Sequence, residues 1–443
     1  MEIKKIETNF KHNLFMHETS NIKLKDMPES LEKQIINIYP DIFLNTFSGF
    51  GGAMTDASAR CILSLSDEKI NDFIDDYFTE KGANYNIIRI PIASCDFSKE
   101  SYEYVHKKDL SDFSIENDKK YIIPAIKRIL DKKQDIVFLA SPWSPPKFMK
   151  TNKLLTLGGR LKEKYKSLYA DYLLKYIKSY QDEGITISYL TIQNEPNALQ
   201  IWESCLYSPE EEIDLLVNYI YPLFKENNLN TKLLIWDHNK EKLLSRIQKE
   251  MSFENAKDRV SGFAFHWYSG DHFENIRILR SMYKDMFFVH TEGCTGFSGF
   301  RKEDEVSNAE IYAHDILGDL KNGTNAFIDW NLLLDHKGGP NHKKNYCNSP
   351  LMLNEDNTNY YKNLSYYYIS HFSRFIKKNS SFIETSKYTD KIEVLASKKE
   401  NEIIVILLNR NDQNYEYNLC INGKYLHDNL DSHSIITFVI KEK

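Results

Sequence analysis

Between residues 47 and 331 the chain repeats one alternation eight times: a short, continuous apolar run, then a longer polar stretch with helical periodicity. The runs are FSGFGGAM (47–54), NIIRIPIA (86–93), DIVFLASPW (135–143), ISYLTIQNE (187–195), KLLIWDHN (232–239), SGFAFHWY (261–268), MFFVHTE (286–292) and NAFIDWN (325–331). Apolar runs of this length, alternating with helices, predict a parallel sheet covered on its outside. Eight such units fit a (β/α)8 barrel better than the alternative, a doubly wound open sheet.

Helix starts are legible between the runs. Thr55-Asp56 precedes a helical stretch running to Phe78, and Ser208-Pro209-Glu210-Glu211 supplies an N-cap, a first-turn proline and acids that complement the helix dipole. Residues 359–377, NYYKNLSYYYISHFSRFIK, read as the last barrel helix. From Ser380 the texture changes to strands and turns, KIEVLAS, NEIIVILLNRN, NYEYNLCING and HSIITFVIK. The first 40 residues, with KIETNF and LFMHETSNIKLK, are strand-like too. The expected organisation is therefore residues 1–44 joining residues 379–443 in an all-β sandwich, with the catalytic (β/α)8 barrel over residues 45–378.

Composition narrows the partners. A net charge of −6 with acids and bases interspersed argues against nucleic acid and offers no basic membrane face. No stretch approaches the ~18 apolar residues of a membrane span, and the first residues lack the apolar core of an export signal, so the expectation is a cytoplasmic protein without stable membrane insertion. Six scattered cysteines without a CxxC pair read as free thiols. Aromatics at 13% are in excess, and flat rings bind the apolar faces of sugars. Nothing in the sequence bears on the oligomeric state.

In such barrels chemistry sits at the C-terminal ends of the strands. Those ends give Asp56, Ala93 with Ser94, Trp143, Asn194 with Glu195, Asp237 with His238, His266 with Trp267 and Tyr268, Glu292, and Trp330 with Asn331. These are two glutamates among aromatics, amides and imidazole, without a cationic cluster. Pro196 restricts the backbone of Glu195, and Gly293 permits a sharp turn that would present Glu292. Two acids aimed across one cleft, one protonating a leaving oxygen and one attacking the anomeric carbon, constitute a glycosidase; a pair ~5–5.5 Å apart makes it retaining. The rival motifs are weak. SGFGGAMTD lacks the third glycine of a dinucleotide loop and reads as a tight turn. His336 and His342 lack metal-ligand spacing, Cys294 lacks a histidine partner, and no GxSxG elbow occurs. No cofactor or metal is expected.

The words GFGGAMTDA, YNIIRIPIASCDFS, LASPWSPPKFMKTN, NEP, HWY, EGC, DWNL and GGPN follow in order from about Phe47 to Pro350, and the chain resembles glycoside hydrolase family 30, in particular its glucosylceramidase-like branch. The resemblance implies a (β/α)8 barrel with an attached β-sandwich that hydrolyses β-glycosides with retention and without a metal. It implies that Glu195 is the acid/base, Glu292 the nucleophile and Asn194 the ligand of the sugar 2-hydroxyl. Asp56 and Trp143 would hold the far hydroxyls, Trp330 would line the same pocket, and His266, Tyr268 and Asn345 would surround the nucleophile. A small glycoside or a glycolipid is the implied substrate. A β-glucoside cleaved in exo fashion is the first expectation; a β-xylosidase, an endo-β-1,6-glucanase or a non-catalytic sugar-binding barrel are the alternatives. The loop NALQIWESCLYSPEEE is shorter than in the animal enzymes, with Trp202 and Glu203 at its centre, and it faces the leaving group, so the aglycone stays open.

Overall fold

The computed structural model describes residues 2–296 and 304–442. Eight strands close into a barrel: Gly49–Ala53, Ile87–Ile92, Val137–Pro142, Ile187–Thr191, Lys232–Asn239, Gly262–His266, Phe287–Glu292 and Ala326–Asn331, barrel strands 1 to 8 below. Every neighbouring pair is parallel, and strand 8 returns to strand 1. All eight apolar runs form these strands. The glycine-rich segment is strand 1 itself, not a tight turn: a Cβ on Gly51 would stand 2.2 Å from the carbonyl oxygen of Ile87.

Inward-facing residues form layers. Ile87, Leu139, Leu234, Ala264, Val289, Ala326 and Ile328 make an apolar plug. Two residues further along the strands, the side chains become Arg89, Ser141, Thr191, His266 and Thr291, all buried. The period of two along each strand thus delivers a polar layer to the catalytic end of the barrel.

Two helix expectations need correction. The stretch after strand 1 is two helices, Asp56–Ser64 capped by Thr55 and Asp67–Phe78 capped by Ser66. Leu65 is extended between them, because Ser66 followed by Asp67 and Glu68 is a second helix start. Asp56 accordingly sits in the first turn of a helix, not at a strand end. The last barrel helix covers Leu364–Ser373 only, since Tyr360–Lys362 pairs as a short strand with Leu351–Leu353. The start at Ser208 holds, with a reciprocal capping box to Glu211.

Both chain ends build a ten-stranded sheet in which Glu2–Asn9 runs antiparallel to Ser434–Lys441. Three of its strands, Ile35–Thr46, Ser381–Lys387 and Lys424–Leu430, were not legible as such in the sequence. Along Glu402–Asn409 alternate residues serve two cores: Ile403, Val405 and Leu407 face the rest of the sheet, and Ile404, Ile406 and Leu408 face the barrel. All six cysteines are unpaired and buried. Among the described residues no helix is long and apolar enough to cross a membrane.

Candidate active site

The site is built on a buried ionic floor that the strand-end list did not reveal. Arg89, in the middle of strand 2, donates to Glu292 Oε2 (2.6 Å), Asn194 Oδ1 (2.8 Å) and Asp237 Oδ2 (2.9 Å). Asp237 Oδ2 also accepts from Ser141 and Thr191, and its Oδ1 accepts from Thr291 (2.5 Å) and faces His266 Nε2 (3.1 Å). So many donors, with Arg89 foremost, hold Asp237 far below the ordinary carboxylate range despite its burial. The strand ends themselves carry no cationic cluster; the one cation of the floor, Arg89, comes from mid-strand. The signal available was an arginine inside an otherwise apolar strand, NIIRIPIA, which is unstable unless paired.

Two bulges aim the carboxylates. Ala264 and Phe265 of strand 6 pair with Trp236 and His238 of strand 5, leaving Asp237 as the extra residue; Trp236 and Asp237 have φ of 80° and 50°. The displaced N–H of Trp236 donates to Glu212 in the helix Pro209–Asp214, which precedes strand 5 (3.0 Å). Phe265 and His266 pair with His290 and Glu292, so Thr291 is extra on strand 7, immediately before Glu292. Without these bulges Asp237 and Glu292 would point out of the barrel.

Glu195 and Glu292 meet over this floor. One oxygen from each carboxylate and one nitrogen of His266 all lie within 4.8 Å of one another. Glu292 also accepts from Tyr268 Oη at 3.0 Å. Nitrogens approach Glu195 less closely: His266 Nδ1 at 3.4 Å, Gln200 Nε2 at 3.5 Å and His238 Nε2 at 3.9 Å. Glu195 is held at φ 49°, a left-handed conformation and not the extended one favoured before proline, by its N–H to Asp237 O and its carbonyl to Ala198 N. Gly293 does not supply a left-handed turn. Its glycine is required for space, because a Cβ there would come 2.7 Å from Trp267 and 2.9 Å from His290.

The remaining predicted residues form a cup beside the pair. Trp143 and Trp330 stack at 5.4 Å with Phe97 edge-on, under the Arg89 guanidinium. Asp56 Oδ2 accepts from Arg60 Nε and from the Lys99 N–H, while its buried Oδ1 has no partner. Asn194 spends its oxygen on Arg89, which leaves its amide N–H groups for other acceptors. Tyr268 contacts Glu292, His266 contacts Glu195 and Asp237, and Asn345 donates to Asp96 (3.3 Å). Tyr268 thus bonds to Glu292 directly, and a His266 nitrogen also lies within 4.8 Å of a Glu292 oxygen. Asp96, absent from the expectations, is pushed up to about 7 by burial and by the charge of Glu292.

Burial opposes charge on His266, yet Glu292, Asp237 and Glu195 outweigh it and push the imidazole up to about 9. Burial raises the Glu292 carboxyl, with His266 and Arg89 opposing; burial works the same way on Glu195, which His266 and His238 nonetheless hold below its ordinary value. Among the described residues two groups have metal-ligand spacing, Glu195 with His266 and Glu292, and His290 with Asp315 and Asp319; His336 and His342 belong to neither. In the first Arg89 already holds Glu292, and in the second Lys240 holds both aspartates.

The Glycosyl hydrolase family 30 TIM-barrel domain matches residues 47–376. The chain is similar to putative glucosylceramidase 3 of Caenorhabditis elegans, 34% identical over 385 residues that cover 82% of this chain and 74% of that one. Among solved structures it is similar to SrfJ from Salmonella typhimurium, with a TM-score of 0.97 and 31% identity over the whole of both chains. It also resembles the endo-beta1,6-glucanase BT3312, with a TM-score of 0.89 and 26% identity, again over both whole chains.

Proposed function

This chain belongs to glycosyl hydrolase family 30 and is a glycoside hydrolase, and from that premise we propose that it is a retaining, exo-acting β-glucosidase working through a covalent glycosyl-enzyme. The observation that carries this reading is the short separation of the two acids, with oxygens within 4.8 Å. That belongs to the close spacing of retaining enzymes (~5–5.5 Å between carboxyl groups) and leaves no room for the water that an inverting pair (~6.5–9.5 Å) must hold.

Contact geometry supports the division of roles. Burial works to neutralise Glu292, but donors at 2.6 and 3.0 Å favour its carboxylate more than the nitrogens at 3.4 Å and beyond favour that of Glu195. Two acids this close do not both ionise at low cost. His266 and His238 favour the Glu195 carboxylate and burial favours protonated Glu292 in the free site. The role of acid therefore requires the shared proton to pass to Glu195 once substrate is bound, leaving Glu292 ionised against Arg89 and Tyr268. Glu292 attacks the anomeric carbon as Glu195 protonates the departing oxygen. Glu195 then takes a proton from water, whose oxygen displaces Glu292 and regenerates both acids. Asn194, Asp56, Trp143 and Trp330 take the terminal ring: the unpartnered Oδ1 of Asp56 suits a sugar hydroxyl, and the stacked indoles suit its apolar face.

The leaving-group side favours an apolar aglycone. Leu154 and Leu157 (both 47% exposed), Leu199 (62%) and Ile201 (59%) form a shelf on the loops after strands 3 and 4. Backbone bonds between the loops, such as Leu157 N to Gln200 O at 2.8 Å, hold it beside Glu195. Glu292→Gln should abolish turnover of an aryl β-glucoside, while Glu195→Ala should spare activated leaving groups and regain rate with azide. Octyl β-glucoside should be cleaved faster than β-1,6-linked glucose oligosaccharides. Wild-type activity in both variants would defeat the acid pair, and the opposite substrate order would defeat the apolar aglycone.

A further inference from the structure

Loops leaving strands 2, 4 and 8 meet at one buried carboxylate, that of Glu203, 2% exposed. Its Oε1 accepts from Ser94 Oγ (2.7 Å) and Ser101 Oγ (2.5 Å), both on the loop after strand 2. Its Oε2 lies 3.4 Å from Nε2 of His342, on the loop after strand 8. The His342 backbone N–H and Nδ1 both lie 3.2 Å from the carbonyl oxygen of Ser98.

These contacts favour the charged form of His342. A carbonyl oxygen only accepts, so Nδ1 carries a hydrogen. Ser101 Oγ, 3.3 Å from Nε2, has already committed its proton to Glu203. A bare lone pair on Nε2 would therefore face a carboxylate, and only the imidazolium satisfies both nitrogens. Burial opposes charge on both groups, yet Glu203 is brought down to about 2 by His342 and the two serines, and His342 is raised by Glu203. The other titratable groups here are Lys343 next to His342, Lys150 from the loop after strand 3, and Cys95 and Asp96 from the loop after strand 2.

The same loop carries the leaving-group wall. Trp202 packs against the cluster containing Trp143, Trp330 and Phe97, and Gln200 reaches Glu195. Glu203 itself bridges to Thr156, so the apolar shelf is tied to it as well. We propose that Glu203 and His342 form an ionic latch that positions this wall, and that the wall is held closed only while His342 carries its proton. Neither residue touches the reacting atoms. Both are positioning residues for the reaction proposed above, on which this inference rests.

The test uses the full chain and octyl β-glucoside. Glu203→Gln should raise KM about tenfold near pH 6 with kcat changed less than about twofold, because an ion pair that only aligns the wall contributes to binding and not to bond breaking. In the wild type KM should climb on the alkaline side as His342 loses its proton. In Glu203→Gln that climb should move to lower pH, and in His342→Gln, whose amide donates at every pH, it should vanish. The imidazole proton resonance of His342, assigned by its loss in His342→Gln, should titrate at lower pH in Glu203→Gln than in wild type. KM profiles that follow wild type in both variants, or an unshifted His342 titration, would overturn the latch. Should the wild type cleave no glycoside at all, the glycosidase reading fails instead, and the resonance still decides whether the latch exists.

Discussion

Two buried clusters in this molecule draw on the same residue types and come to opposite ends. Inside the barrel, Arg89 and His266 meet Asp237, Glu195 and Glu292. Outside it, Lys240 meets Asp315 (2.9 Å) and Asp319 (3.0 Å), and His290 Nδ1 meets Asp319 (2.7 Å). His266 ends strand 6 and His290 lies in the next strand, yet the first is pushed up to about 9 and the second, chiefly by burial, falls well below its ordinary value. The surroundings explain the contrast. His266 faces three carboxylates, whereas His290 stacks on Phe327 at 4.1 Å with Lys240 near. In the outer cluster the lysine is bonded to both acids, and only His290 Nε2 is left without a partner. In the inner one Glu292 is tightly held and Glu195 loosely, and that imbalance is what acid–base chemistry needs. Ligand-type spacing is common to both, so saturation, not spacing, separates a site from a structural pair.

Replacing the cation tests the contrast most severely. Arg89→Met and Lys240→Met should each lower the unfolding free energy by about 3–5 kcal/mol, because each strands buried carboxylates. Only Arg89→Met should also cut kcat/KM on an aryl β-glucoside, by about a thousandfold or more. Denaturant unfolding and initial rates per folded molecule decide this; an equal loss of activity in Lys240→Met would erase the distinction.

The two histidines should tilt stability in opposite directions with pH. His266, raised from 6.5 to about 9, contributes fully below pH 6.5 and loses that contribution as pH rises through 9, about 3 kcal/mol in all. His290 is lowered, so its neutral form supports the fold above about pH 6.5, and that support is lost as the pH falls below it. Urea midpoints of His266→Gln and His290→Gln relative to wild type, taken between pH 5 and 9.5, should therefore diverge in opposite senses; parallel curves would refute the assignment. The smallest effect is at the junction of the clusters. Gly293→Ala, whose Cβ would press on Trp267 and His290, should cost about 1–3 kcal/mol, read as a lower melting temperature.

Much of the site was readable before folding was considered. Glu195 and Glu292 close apolar runs, and a residue at the end of a parallel strand is placed on the catalytic face by the architecture alone. Trp143, Trp330 and Asn194 follow the same rule. Asp56 broke it, because a capping threonine starts a helix one residue earlier. Arg89 escaped it altogether, being in mid-strand, where an apolar residue would be the ordinary occupant. Glu203 and His342 stood in view, one in a loop and one beside GGP, without any local reason to join them.

The amino-acid sequence by itself determined the barrel, the two-ended β-sheet domain and the strand ends on which chemistry could stand, because hydrophobic period and capping act between neighbours in the chain. Only the tertiary structure decided which of those ends meet and in what charge state. The bulges at Asp237 and Thr291 exist because closed strands must match register with partners far away in sequence. Proton affinities likewise follow from carboxylates and cations delivered by other strands, at distances that no local pattern encodes.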